Sequence, residues 1–97
     1  MKITKTERAE LDKCTALAKK IRAAERLGNH PADIVRDASM LLTFERTMDG
    51  RREQAQPSEV REVLELRLHN PADYQARVER SRPAAEMYGL AAAPPQR

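Results

Sequence analysis

The chain has 97 residues, enough for one domain, and carries 18 Lys and Arg against 15 Asp and Glu, a net charge of +3. Leu, Ile, Val and Phe total only 17 while alanine alone reaches 15, which excludes a large core and makes added burial against a partner or a second copy an expectation. The small net charge and clean helical periodicity exclude a disordered polyelectrolyte, and Phe44, Tyr74 and Tyr88 are too few aromatics for a base-stacking platform.

A first helix is expected from Lys5 to Leu27. Thr4 and Glu7 have capping-box spacing, and Gly28 is placed to end the helix in a left-handed turn. Leu11, Cys14, Leu17, Ala18, Ile21 and Ala24 recur at steps of three and four, which gathers them on one face. The opposite surface carries Lys13, Lys19, Lys20, Arg22 and Arg26. Residues 1–28 hold eight Lys and Arg against four acids, and the remainder of the chain has no basic excess.

A second helix begins at His30-Pro31-Ala32-Asp33, and the same chemistry returns forty positions on as Asn70-Pro71-Ala72-Asp73. The polar residue caps, proline loses nothing at the first helical position, and aspartate meets the positive end of the helix dipole. Ile34, Val35, Ala38, Met40, Leu41, Leu42, Phe44 and Met48 cover most of this helix, leaving a polar strip of Arg36, Ser39, Thr43 and Thr47. Such a helix is a buried one, either central or the main face of a dimer. It should stop near Asp49-Gly50.

The segment from Gly50 to Gln56 reads as a polar connector. Pro57-Ser58-Glu59 opens a third helix with Val60, Val63, Leu64 and Leu68 inward and Leu66 on the flank. Its acidic side of Glu59, Glu62 and Glu65 complements the basic side of the first helix, for pairing within one chain or between two. A fourth helix starts at Pro71, Pro83 kinks or restarts it, and Ala84 to Tyr88 can add a last turn ending at Gly89. The expected fold is a small all-α bundle of four main helices in two hairpins. Residues 1–90 form the domain, with a short C-terminal helical turn, and residues 91–97 form a frayed tail.

The catalytic inventory is poor. No phosphate-cradling or metalloprotease motif occurs, and the single Cys14 falls in an apolar stripe, as a buried small hydrophobe does. His30 and His69 each have an aspartate nearby, but a cap and a helix C-terminus explain them more simply than a metal. No enzyme, metal or cofactor is expected. The opening Met1-Lys2-Ile3-Thr4-Lys5 is charged and no apolar run approaches a signal peptide or spanning helix, so the expectation is cytoplasmic, without membrane contact.

Two functions remain. The leading expectation is a non-catalytic interaction module of the kind phage and mobile elements carry: an adaptor, inhibitor or regulatory subunit. It would dock on an acidic protein or a protein–nucleic-acid complex. Its contacts would be Lys13, Lys19, Lys20, Arg22 and Arg26, with Met40, Phe44 and Met48 as apolar candidates and a homodimer as an option. The alternative is a small dimeric helix-turn-helix-like transcriptional regulator. That reading places Tyr74, Gln75, Arg77, Arg80 and Arg82 on DNA, with Arg51 and Arg52 adding backbone contacts.

Overall fold

A computed structural model describes residues 3–88, and all regular structure among them is helical. In chain order the elements are α1 (Lys5–Glu25), α2 (Pro31–Met48), α3 (Pro57–His69), α4 (Pro71–Arg80) and α5 (Arg82–Met87). The expected tail 91–97 and the stop at Gly89 lie outside the described residues.

Each start is fixed by the residues just before it. Thr4 Oγ1 accepts from the Glu7 N–H at 3.0 Å while Glu7 Oε1 accepts from the Thr4 N–H at 3.0 Å, a complete capping box. His30 Nδ1 accepts from the Ala32 N–H at 3.0 Å, and Asn70 Oδ1 accepts from the Asp73 N–H at 3.2 Å. Both copies of the Pro-Ala-Asp echo are therefore N-caps followed by proline at the helix start. Ser81 separates α4 from α5, and Pro83 sits in the first turn of α5.

The helix ends correct one expectation. α1 stops at Glu25, and the left-handed residue is Arg26, at φ 57° and ψ 46°, rather than Gly28. The Leu27 N–H reaches back to the Arg22 carbonyl at 2.9 Å, and Leu27 packs against the core. This closure demands a left-handed residue just before Leu27, whatever side chain stands there. α2 closes as its sequence predicts, with Gly50 at φ +74° and the Arg51 N–H on the Arg46 carbonyl at 2.8 Å.

The largest helix–helix interface joins α1 to α3, across the two hairpins. Cys14, Ala18 and Ile21 meet Val60, Val63 and Leu64 in one buried cluster, and the small side chains of Cys14 and Ala18 let the two helices approach closely. α2 lies over this seam with Ile34, Ala38, Leu41 and Leu42, and so is buried without being the central helix. Ala24, expected on the inward face of α1, is exposed. α5 packs on the second half of α2, where the Phe44 and Tyr88 rings stand 5.3 Å apart.

Within the chain, ion pairs bridge α1 and α3 with the opposite polarity to an acidic α3 side meeting a basic α1 side. Arg61 of α3 holds Glu10 of α1, and Arg67 of α3 makes two bonds, at 2.9 and 3.0 Å, to Glu25 of α1. The acids Glu10 and Glu25 lie nearest the apolar seam of α1, so they meet α3 first. The lysines lie too far around the helix to reach Glu59, Glu62 or Glu65. Arg46, 8% exposed at the end of α2, ties down the connector by donating to the Glu53 carbonyl and to Glu59.

Two outcomes follow. Leu64, fully buried in the seam, should cost about 2–5 kcal/mol of stability as Leu64→Ala in urea unfolding. The Glu59 carboxyl is held below its usual range by the Gln56 backbone N–H and by Arg46. Its stabilising share is present above the unfolded value, about pH 4, and is lost as pH falls through the folded value. Glu59→Gln should lower the melting temperature at pH 7 and flatten its decline in acid.

Candidate interaction surface

On α1 the acids and bases are sorted. Glu7 is spent in the N-terminal cap, Glu10 on Arg61 and Glu25 on Arg67. Asp12 is the one acid of the helix with no such partner among the described residues. Lys13, Lys19, Lys20, Arg22 and Arg26 are all exposed, as are Lys5 and Arg8. Lys13 stands 4.0 Å from Glu10, a distance that adds little at a side chain 61% exposed. Lys19, Lys20, Arg22 and Arg26 have no ion-pair partner among the described residues.

The five basic residues form two flanks rather than one stripe. Lys19, Arg22 and Arg26, at steps of three and four, share a shallow hollow of about 490 Å³ with Ala23 and Leu27. Lys13 and Lys20 stand two turns apart on the other flank. The outer arc of α1 is thus cationic over most of its length.

The residues considered for DNA are largely occupied elsewhere. Arg77 makes two bonds to Glu45 of α2, at 2.6 and 2.8 Å, which hold its guanidinium firmly charged. Arg82 and Gln75 both donate to Glu79, and Arg51 pairs with Glu53. Tyr74 is a correction: it is buried, with the Arg67 guanidinium 5.1 Å from its ring centre. Arg52 and Arg80 are exposed and make no ion pair among the described residues. Only Asn70 separates α3 from α4, a tighter joint than the three- or four-residue turn of a helix-turn-helix.

The apolar candidates part company. Met48 is 50% exposed, whereas Phe44 is buried and packed on Tyr88. Met40 is half-buried on the wall of a cleft of about 810 Å³ that α2 forms with α4 and α5. Leu41, Phe44, Val78 and Ala85 line its apolar part, and Arg36, Asp37, Arg67 and Tyr74 its polar end. Sequence reasoning missed this cleft. The pattern shows that α2 is apolar nearly all round but not where a shorter helix leaves it uncovered.

Cys14 is buried, and burial pushes its thiol above the ordinary range. No group of three or more His, Cys, Asp or Glu that could hold a metal occurs among the described residues, and no helix among them is long and apolar enough to cross a membrane. No family model matches the chain, and no curated protein or solved structure matches it.

Asp37 is exposed at the rim of the cleft, and the desolvation it meets there raises its carboxyl above the ordinary range, outweighing the favourable charges of Arg67 and Arg36. A raised carboxyl costs the folded state stability as pH climbs through the folded value. Asp37→Asn should therefore raise the melting temperature at pH 7, with the gain shrinking as the pH falls toward 4.

Proposed function

We propose that the chain is a non-catalytic docking module, an adaptor, inhibitor or regulatory subunit, that seats the outer face of α1 on an acidic surface of another protein. The sorting of charge on α1 carries this reading. With Glu7, Glu10 and Glu25 turned to a cap and to α3, that face offers Lys13, Lys19, Lys20, Arg22 and Arg26 with almost nothing to cancel them. A single exposed pair is worth only about 0–1 kcal/mol, so a cationic arc built this way adds little to folding. Arranged over one face it accelerates encounter with an anionic surface and rejects basic ones.

The regulator alternative uses α3 and α4. The commitment of Arg77 to Glu45 and of Arg82 to Glu79 removes donors it would need, and the burial of Tyr74 removes another. A polyanion such as DNA could still meet α1, and salt dependence separates the two cases.

The test is cross-linking through the lysines of α1 in the organism that carries the chain, followed by binding kinetics with the purified partner. The triple variant Lys19→Glu, Arg22→Glu, Arg26→Glu should cut association about tenfold or more and leave the melting temperature within a few degrees. Arg77→Ala and Arg80→Ala should change binding little. A partner whose association ignores the triple variant refutes the reading. Tight, salt-resistant binding of duplex DNA that depends on Arg77 and Arg80 would establish the regulator instead.

A further inference from the structure

The cleft between α2 and α4–α5 is a second surface, independent of α1. One wall is a stripe of α2 in which Asp37, Met40, Leu41 and Phe44 follow one another at helical spacing. The other is built from Tyr74, Val78 and Ala85. Its volume of about 810 Å³ lies within the span of sites that take ligands, roughly 300–1,000 Å³. Its apolar floor includes Met40, whose flexible thioether adapts to differently shaped side chains.

The charges at its polar end choose the occupant. Arg36 faces Asp33 at 3.3 Å, Arg67 is spent on Glu25, and Arg82 is spent on Glu79. Asp37 makes no ion pair and no side-chain hydrogen bond among the described residues, although it stands beside Arg67 and Tyr74. Every guanidinium of the cleft therefore has its carboxylate, and the one unmatched charge is negative.

We propose that this cleft binds an amphipathic helical peptide segment of a partner, whose apolar side chains fill the space over Met40, Leu41, Phe44 and Val78 and whose single Arg or Lys pairs with Asp37. A helix laid in a groove reads out in this way, through anchors three and four residues apart. Arg36 and Arg67 stand near Asp37 but each pairs with another carboxylate. The basic residue of the segment therefore supplies the direct partner that Asp37 lacks, and apolar side chains cover the floor that α4 and α5 leave open.

The probe is a displayed library of random peptides, each about 12 residues or three helical turns long, selected on the whole chain at about 0.15 M salt. Enriched sequences should carry a basic residue beside apolar ones at helical spacing. Synthetic peptides of those sequences should lose affinity about tenfold or more against Asp37→Asn, a loss matched by replacing their own basic residue with Gln and not repeated when both are changed. Ala85→Leu, which fills the cleft from its open side, should abolish binding without lowering the melting temperature.

Failure to enrich any sequence, enrichment of sequences without a basic residue, or indifference to both Asp37→Asn and Ala85→Leu would each overturn the proposal. So would peptides lost only in the Lys19, Arg22, Arg26 reversal, since they would sit on α1. A partner that ignores the α1 reversal but obeys the cleft variants would leave this site standing and refute the docking reading of α1.

Discussion

Arginines on α3 gripping glutamates on α1 are the arrangement from which the rest follows. Arg61 on Glu10 and Arg67 on Glu25 bracket the apolar seam of Cys14, Ala18 and Ile21 against Val60, Val63 and Leu64. The seam supplies the burial and sets the rotation of α1 about its own axis; the partly exposed ion pairs add little to it and match that rotation. That rotation turns Glu10 and Glu25 toward α3 and leaves the bases of α1 outside. It also holds the Arg67 guanidinium over Tyr74, which closes one end of the α2–α4 cleft. Arg67 thus touches both candidate surfaces, holding Glu25 of α1 on one side and lining the cleft on the other.

The elements were legible in the sequence because their boundaries are local chemistry. The Thr4–Glu7 box, His30 and Asn70 before their prolines, and Gly50 each act within a few residues of a helix end. Periodicity likewise placed Cys14, Ala18, Ile21, Val60, Val63 and Leu64 inside. What was not legible depends on distances between helices. Whether Glu or Lys of α1 meets α3 is decided by which lies nearer the seam, a matter of a fraction of a turn. Arg46 stands four residues after Leu42 and so belongs by spacing to the inward face, yet its charge disguised it as surface. Arg26 escaped notice for a related reason: the left-handed position is set by where the helix stops packing, and that is a tertiary decision.

The same division holds for the candidate sites. A basic excess on the first helix is a property of composition and could be counted, but its being left largely uncancelled on the two outer flanks required the turn of Glu10 and Glu25 toward α3. The residues that looked fit to read DNA were judged by type alone. In three dimensions Arg77 braces α4 against α2 through Glu45, while Arg82 makes only an exposed local pair with Glu79 across the joint at Ser81. Phe44 and Tyr74 carry apolar area that the molecule uses internally, and what remains for a partner is the gap between them.

Cys14 gives the α1–α3 seam a chemical clock. Its sulfur is wholly enclosed and lies 3.6 Å from the Pro57 carbonyl, at the very residue where α3 begins. A thiol reagent can reach it only when the first helix lifts from the third, so the rate of labelling measures how often that seam opens. Because the chain holds no other cysteine, the signal comes from one place and one event. A bound partner that clamps the first helix would slow the clock, and one that pries it away would speed it.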